Sequence, residues 1–274
     1  MRQGIVIKDD YDDFLRGALF SRMKVWSDRF VSENRSLLDK YQHRWVRDPL
    51  HQWSRRWEYP FVYSELMAHA AESPVTKVVD AGAGFTFLPF MLKQSIGNVE
   101  LVCIDQDPQL DAFYSQATCE AGCPTFQQGS LSALDMESSS VDVVYCISVL
   151  EHTSNYDVIL GEFLRVLKPG GRLIFTFDLS LDGFSDIPVE AAFKLCNTVA
   201  ALFDGEEWLA SFPASADALP PGMLRTDDFL SQPDLLPWKF PRLSGALASI
   251  RAGHWPRLRM KSLACACFSV RKAL

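Results

Sequence analysis

The residues Val-Val-Asp-Ala-Gly-Ala-Gly at positions 78–84 decide the fold of this chain. An apolar strand is predicted at 77–80, ending in the carboxylate of Asp80, and a glycine turn then leads into a helix that runs to about Lys93. Because glycine has no Cβ, a turn of this kind lets the backbone approach a ligand closely. The stretch therefore predicts a ligand-binding turn at the carboxyl end of a strand.

A dinucleotide-binding turn is the alternative interpretation of the same residues. That fingerprint requires a third glycine where the helix meets the pyrophosphate, which corresponds to position 87 here. Position 87 is Phe87, whose bulky ring argues against a bound diphosphate. The turn therefore favours a cofactor without a diphosphate.

Asp105 ends the next predicted strand, at 99–105. A carboxylate at this position can accept hydrogen bonds from both hydroxyls of a ribose, as in nucleotide-binding folds. The alternative is a surface aspartate that caps the following helix. Because Asp107, followed by Pro108 at the first helical position, already supplies that cap, the sequence favours ribose binding by Asp105.

Strands and helices alternate beyond the turn. Strands are predicted at 141–147 and 172–177, and the helix between them begins near Ser154 and stops at the Lys-Pro-Gly-Gly of 168–171. Strands that alternate with helices of this length imply a parallel sheet with both faces covered.

The chain on either side of this core has a different pattern. In residues 1–60, apolar side chains recur at three- and four-residue steps, which predicts a helical N-terminal cap that closes near Pro60. Residues 179–257 are too long for a simple connection and predict an inserted lid, whose aromatic side chains either line an acceptor pocket or form an added core layer. Residues 258–274 predict a C-terminal strand that completes the sheet.

Five motifs share the order and spacing of a known family. They are 78–84 (Val-Val-Asp-Ala-Gly-Ala-Gly), 103–107 (Cys-Ile-Asp-Gln-Asp), 128–131 (Gln-Gly-Ser-Leu), 141–152 (Val-Asp-Val-Val-Tyr-Cys-Ile-Ser-Val-Leu-Glu-His) and 167–173 (Leu-Lys-Pro-Gly-Gly-Arg-Leu). The series resembles the class I S-adenosylmethionine-dependent methyltransferases, especially the subgroup that acts on small molecules. The resemblance covers about residues 60–178 and implies an α/β, Rossmann-like core at 61–178, with helices on both faces of the sheet.

The resemblance also implies where the cofactor would lie, over the carboxyl ends of the strands. The methionine half would face Asp80, Ala81, Gly82, Gly84, Ile147 and Ser148. The adenosine half would face Asp105, Gln106, Ser130 and Leu131. Ser130 departs from the family, which often has an aspartate there to bond the adenine amine. Either the serine hydroxyl or the backbone of Leu131 would then make that contact.

Glu151 and His152 lie where such a fold presents groups to the methyl acceptor. Histidine has an unperturbed pKa near neutrality, so His152 is a candidate general base. The alternatives are that it orders the loop or contacts the cofactor. Transfer to an acceptor that is already nucleophilic needs only alignment and desolvation, so a base is not required in every case.

The segment Arg-Arg-Trp-Glu-Tyr-Pro-Phe at 55–61 lies where related enzymes fold a helix over the cofactor. Arg56 is a candidate partner of the methionine carboxylate, and Tyr59 is a candidate contact of the sulfonium. Glu58 is the third candidate in this segment. The alternative interpretations are an amphipathic cap with solvated arginines and, from the arginines and tryptophans of 44–56, a nucleic-acid patch.

The composition of the 274-residue chain narrows the function classes. Its net charge is −7, whereas nucleic-acid and membrane-surface proteins tend to be basic. No apolar run reaches the roughly 20 residues of a membrane span, and the acidic N-terminus is unlike a secretory signal. The seven cysteines lack CxxC pairs, which predicts buried, reduced thiols in a cytoplasmic protein. We therefore expect a small-molecule substrate, without nucleic acid, membrane or metal.

The expected activity is methyl transfer from S-adenosylmethionine to oxygen, nitrogen or carbon of a small molecule, giving S-adenosylhomocysteine. The absence of an Asn-Pro-Pro-Tyr type of motif disfavours DNA or protein glutamine as the acceptor. Three alternatives stay open: a different use of the same cofactor, such as cyclisation; a cofactor-binding partner without catalysis; and a nicotinamide dehydrogenase, which Phe87 disfavours.

Overall fold

A computed structural model describes residues 1–41, 49–119, 122–183, 186–203, 212–236 and 261–274. Its strands are β1 (Gly4–Ile5), β2 (Lys77–Ala81), β3 (Glu100–Asp105), β4 (Thr125–Gln128), β5 (Val141–Ile147), β6 (Leu167–Ser180), β7 (Ile187–Pro188) and β8 (Leu263–Arg271). Its α-helices are α1 (Lys8–Leu15), α2 (Ala18–Glu33), α3 (Arg35–Leu38), α4 (Arg55–Glu72), α5 (Leu88–Ile96), α6 (Leu110–Gln116), α7 (Tyr156–Val166) and α8 (Val189–Leu202).

The strands form one sheet in the order β1-β8-β6-β5-β2-β3-β4, with β7 paired to β6. Strands β2 to β6 run parallel to one another, while β8 is antiparallel to β6 and β1 is antiparallel to β8. From β2 the chain runs outward through β3 to β4, and it then crosses back to place β5 on the other side of β2. The carboxyl end of β2 is thus a topological switch point, where open α/β sheets bind ligands.

Both faces of the sheet are buried, as predicted. In β5, Val143 and Tyr145 pack with the face covered by α2, α4 and α5, while Val144 and Cys146 pack with the face covered by α7 and α8. This alternation follows from the two-residue period of a strand. A parallel strand covered on both faces is apolar almost throughout, which is why 141–147 was predictable from its sequence. The Rossmann-like α/β fold is confirmed.

The predicted helix end near Pro60 is wrong. Helix α4 continues through Pro60 to Glu72, although proline lacks the N–H that would bond to the C=O of Arg56. Phe61, Val62 and Leu66 are fully buried against the sheet. Their burial outweighs the missing bond, since helix stability in proteins comes mainly from packing.

Two other local predictions need correction. Residues 1–60 are not wholly helical, because Gly4–Ile5 adds β1 to the edge of the sheet. Helix α6 begins at Leu110 rather than after Asp107, because the Asp107 carboxylate accepts the Gln109 N–H at 2.9 Å in a turn before the helix. Asp and Asn side chains favour such local turns.

The cysteines agree with the prediction in part. Cys103, Cys146, Cys196, Cys265 and Cys267 are free and buried. Cys119 and Cys123, however, form a disulfide, which corrects the expectation of reduced thiols throughout. They lie outside the strands with Cα atoms 5.7 Å apart, a separation that suits a disulfide.

Of the lid predicted at 179–257, residues 184–185, 204–211 and 237–257 lie outside the described residues. These include Phe184, Trp208, Trp238, Phe240 and Trp255, and the arginines and tryptophan of 42–48 also lie outside them. Of the lid's described aromatic side chains, Phe203, Phe212 and Phe229 are buried in the core. Among the helices that the structure describes, none combines the length and the apolar character that crossing a bilayer requires.

Candidate functional site

A cleft of about 570 Å³ lies at the carboxyl ends of β2, β3 and β5. Nine residues predicted from the sequence line it: Gly82, Gly84, Asp105, Gln106, Ser130, Leu131, Ile147, Ser148 and His152. Tyr41, Gly129, Val149, Asn155 and Ile159 also line it and were not predicted. The parallel sheet brings these side chains together because the carboxyl ends of its strands share one edge.

The glycine turn forms one wall of the cleft. The N–H groups of Gly82 and Ala83 donate to the C=O of Ile104, at 2.8 and 3.1 Å, which ties the turn to β3. Gly82 has φ +78°, and a Cβ built there would lie 2.4 Å from Cγ2 of Val149. Only glycine fits this position, because both the backbone angle and the close approach exclude a side chain.

Asp105 lies beside the end of the glycine turn, next to Gly84. One carboxylate oxygen accepts the Gly84 N–H at 3.0 Å and the other accepts the Asp107 N–H at 3.1 Å. Each oxygen keeps a second lone pair for a ligand. The adjacent Tyr41 is buried, and burial together with the charges of Asp105 and Asp107 raises the pKa of its hydroxyl. The sequence did not predict Tyr41, because this residue follows α3 and belongs to none of the five motifs.

A smaller cavity shares Gly82 and Ile147 with the cleft and is also lined by Arg55, Tyr59, Asp80, Ala83, Thr86 and Leu88. Burial raises the pKa of Asp80 to about 8, and the negative charge of Asp105 also acts to raise it. A buried carboxyl of this kind regains its charge when a cation lies beside it. Asp80 is therefore suited to the amino group of a ligand, while Arg55 is suited to a carboxylate.

Of two other predicted site residues, Tyr59 lines the smaller cavity and Ala81 lines neither cavity. The Tyr59 ring is buried, with its centroid 5.5 Å from that of Phe87, and burial raises the pKa of its hydroxyl to about 12. The phenol therefore stays protonated near neutral pH. Ala81 is fully buried inside β2 and lines neither cavity.

Arg56, predicted as a cofactor contact, points elsewhere. Its Nε donates to the C=O of Leu50 at 2.7 Å, and its guanidinium lies 5.9 Å from the centre of the Phe20 ring. Arg55, one residue earlier, faces the smaller cavity instead. Successive helical residues point about 100° apart, so an assignment that is one residue off changes the face completely.

Arg55 belongs to a buried polar network. Its guanidinium donates to Glu58 and, at 2.7 Å, to the hydroxyl of Ser148. The hydroxyls of Ser148 and Thr176 both donate to the same Glu58 oxygen. Burial alone would raise the pKa of the Glu58 carboxyl, but the Arg55 charge and the two hydroxyls hold it below its usual value. Glu58 is thus ionised and ties α4 to the ends of β5 and β6.

Ser148 is strained at this junction. Its φ of +51° lies in the left-handed region, which non-glycine residues seldom occupy. Its N–H donates to the C=O of Thr176 at 3.0 Å and lies 3.2 Å from the Thr176 hydroxyl. Such strain persists only where surrounding contacts over-determine it, and it concentrates at functional sites.

Glu151 does not line the cleft. Its Oε1 accepts the Asp178 N–H at 3.0 Å, while its Oε2 is buried and has no hydrogen-bond partner among the described residues. Burial and the nearby Asp178 raise the pKa of Glu151 well above its usual value. Burial, with the Glu58 charge, raises the pKa of Asp178 to about 8. Burial therefore favours the neutral form of the Glu151 carboxyl, and Asp178 is mostly neutral at pH 7.

The network also contains a group that the sequence did not reveal. Ligand-type atoms of Glu58, Asp178 and Cys265 lie within 4.8 Å of one another. The three residues come from α4, β6 and β8, so no spacing in the sequence brings them together. Arg55, which is paired with Glu58, already supplies a positive charge to this group.

His152 ends a short 3-10 turn, Leu150–His152, at the rim of the cleft. Its side chain is 61% exposed, and its Nδ1 lies 3.7 Å from Oδ1 of Asp186. Burial of the ring lowers the pKa of His152, although the charge of Asp186 acts to raise it. The imidazole is therefore neutral at pH 7 and able to accept a proton.

Comparisons with known proteins identify a family for part of the chain. Residues 79–175 match the family model described as a methyltransferase domain. The chain is 30% identical over 122 residues to thiol S-methyltransferase TMT1A of Homo sapiens, a match that covers 42% of this chain and 47% of that protein. It is 31% identical over 112 residues to demethylmenaquinone methyltransferase of Deinococcus radiodurans, covering 40% and 45%. These matches span less than half the length of either relative.

Among solved structures, YcgJ of Bacillus subtilis is 14% identical, with 77% of this chain and 99% of that chain covered and a TM-score of 0.43. The segment that matches the family model contains most of the glycine turn, Asp105 and the strained Ser148. The motifs and this match together identify residues 79–175 as a methyltransferase domain.

Proposed function

We propose that this chain transfers the methyl group of S-adenosylmethionine to a small-molecule acceptor, with S-adenosylhomocysteine as the product. The observation that carries the proposal is that the glycine turn and Asp105 face one cleft of about 570 Å³. The matched relatives named above are methyltransferases of a thiol and of demethylmenaquinone, which supports a small organic acceptor.

The described residues fit the proposed cofactor. The bare backbone at Gly82 leaves room for a ligand that any Cβ would fill. The two oxygens of Asp105 suit the two ribose hydroxyls, and the neighbouring Asp80 and Arg55 suit the ammonium and carboxylate of an amino acid. The bound cofactor would supply a methyl group on a positively charged sulfur. The chain itself binds, orients and excludes water.

Two uses of the site compete with methyl transfer: other chemistry on the same cofactor, such as cyclisation, and binding without turnover. Product analysis separates all three, since only methyl transfer yields both S-adenosylhomocysteine and a methylated acceptor. Nicotinamide binding is disfavoured because the Phe87 ring is buried between Tyr59 and Trp26, at 5.5 and 6.1 Å between centroids.

A cytoplasmic location stays a prediction. The five free, buried thiols favour a reducing compartment, whereas the Cys119–Cys123 disulfide does not.

Calorimetric titration with S-adenosylmethionine, S-adenosylhomocysteine and NAD tests the proposed cofactor. We expect micromolar binding of the first two and none of NAD. If neither sulfur compound binds to the folded protein, the proposed function is wrong.

Replacing Asp105 should weaken that binding. We expect Asp105→Ala to cost about 1–3 kcal/mol of binding free energy, or roughly 5–150-fold in affinity, because charged hydrogen bonds to the ribose are lost. The exposed Asp111 on the adjacent helix α6 provides a matched control, and Asp111→Ala should bind normally. An Asp105→Ala variant that is folded and binds with unchanged affinity would remove Asp105 from the ribose role.

Binding should also release a proton through Asp80. In the free protein this carboxyl is mostly protonated at pH 7, since burial raises its pKa to about 8. The ammonium of the ligand would lower that pKa, so binding at pH 7 releases up to about one proton and tightens as pH rises toward 8. Titrations in phosphate and in Tris should therefore give different heats. Asp80→Asn should reduce the difference, and equal heats for the unmodified protein would contradict this role.

A further inference from the structure

Asp186 is held in an unusual position beside the cleft. Its φ of +60° is left-handed, and its side chain is only 4% exposed. The carboxylate faces two basic side chains, the Nζ of Lys261 at 3.1 Å and the Nδ1 of His152 at 3.7 Å. No sequence motif marks this residue. Its strained backbone places a buried carboxylate behind His152, which among the described residues is the one histidine that lines the cleft.

The histidine is oriented from the same side. Asp186 faces Nδ1, so Nε2 is the ring nitrogen left to meet a substrate. The 3.7 Å separation is longer than a hydrogen bond, but such contacts in unliganded sites often tighten only with substrate bound. A base whose imidazole is held by a third group is the arrangement that activates hydroxyl and thiol nucleophiles.

The charges around His152 keep it neutral. Burial lowers its pKa, the Asp186 charge raises it, and the positive charges of Lys261 and Arg55 lower it. Among the described residues, Asp186, Lys261 and Arg55 are the charged groups that act on the ring. A neutral imidazole with its Nδ1 directed at a carboxylate accepts a proton at Nε2 and is stabilised as it becomes positive.

We propose that Asp186 is a positioning residue that holds His152 as the general base, and that the acceptor therefore attacks through an atom bearing an ionisable hydrogen, a hydroxyl or a thiol. This inference rests on the proposed function. In the step, the O–H or S–H proton passes to Nε2 of His152. The freed electron pair forms a bond to the methyl carbon, and the carbon–sulfur bond breaks with its electron pair on the cofactor sulfur.

The first test needs no substrate. The pKa of His152 is measured by NMR from the ring carbon signals of the five histidines, with the His152→Gln spectrum giving the assignment. Asp186→Asn keeps a side chain that tolerates the left-handed backbone. It should lower the His152 pKa by about 0.5–1, because a negative charge near 4 Å is removed. Lys261→Met should raise the same pKa. If neither variant moves it, Asp186 does not hold His152 in solution.

The second test varies the acceptor. Release of S-adenosylhomocysteine is measured with a series of phenols and aryl thiols whose pKa values span about 5 to 10, the range over which a general base becomes necessary. Both His152→Gln and Asp186→Asn should lower kcat, and the loss should grow as the acceptor pKa rises. For the acceptor of highest pKa the fold-loss in kcat should be at least about ten times that for the acceptor of lowest pKa. Asp186→Glu should restore part of the loss, as a purely structural defect would not.

The outcomes separate the two proposals. Equal losses along the whole series would overturn the base role and the acceptor class, even if methyl transfer is observed. If the cofactor binds but no acceptor in the series is methylated, the acceptor class is overturned and methyl transfer loses its support. The histidine titration still decides, independently of activity, whether Asp186 holds His152.

Discussion

Glu58→Gln is expected to lower the free energy of unfolding by about 3–5 kcal/mol, the usual cost of removing one partner of a buried ion pair. Glu58 and Arg55 are 0% and 5% exposed, so the guanidinium would lose its counter-charge where water cannot replace it. The amide would also present N–H donors where the network requires an acceptor. Since Glu58 holds Ser148, the folded variant should bind S-adenosylmethionine more weakly as well.

Urea unfolding measures this loss, and Asp28→Asn is the matched control. Asp28 pairs with Lys24 on the exposed face of α2, so its loss should cost less than about 1 kcal/mol. The effect of Glu58→Gln should shrink in acid. The Glu58 pKa is depressed in the folded protein, so its contribution is present above the unfolded value near 4.5 and is lost as pH falls through the folded value. A loss at pH 7 no larger than that of Asp28→Asn would show that the ion pair is not formed.

Gly82→Ala is expected to destabilise the protein by about 2–4 kcal/mol, combining left-handed backbone strain with overpacking. At φ +78° any side chain is strained, and the added Cβ would lie 2.4 Å from Cγ2 and 3.0 Å from Cγ1 of Val149. Relieving that contact would move the turn or the segment after β5, both of which line the cleft. We therefore expect binding of S-adenosylmethionine to fall below detection in a calorimetric titration.

Gly84→Ala separates strain from contact. Gly84 also has a positive φ, +51°, but the nearest atom to its Cβ would be the Tyr41 hydroxyl at 3.8 Å. Its stability cost should therefore be only about 1–2 kcal/mol, that of the backbone alone. Adding Val149→Ala to Gly82→Ala should recover part of the loss, giving a favourable coupling in a double-mutant cycle. If the losses in free energy of unfolding from Gly82→Ala and Val149→Ala simply add, the proposed contact between the new Cβ and Val149 is wrong.

The segment 55–61 shows that a sequence can indicate which segment lines a site without indicating which of its side chains face that site. That segment was expected to lie beside the cofactor, and Arg55 and Tyr59 do line a cavity next to the glycine turn. The helical pattern, however, does not indicate which of two adjacent arginines faces inward. Packing of α4 on the sheet decided it, turning Arg55 toward Ser148 and Arg56 toward Leu50.

The sequence by itself determined those features that depend on residues close together in the chain. The apolar run of 141–147 and the carboxylates at two strand ends predict a parallel sheet, because strand burial and glycine geometry act within a few residues. The same reasoning placed Gly82 and Asp105 at one sheet edge, since the carboxyl ends of parallel strands meet there.

The tertiary structure alone decided which distant side chains meet. The network of Arg55, Glu58, Ser148 and Thr176 joins α4 to two strands, and the pair of Asp186 and His152 joins segments on either side of β6. These contacts depend on strand order, on the rotation of α4 about its axis and on the left-handed residues Ser148 and Asp186. None of these leaves a periodic signal in the sequence, because each is set by packing between segments far apart in the chain.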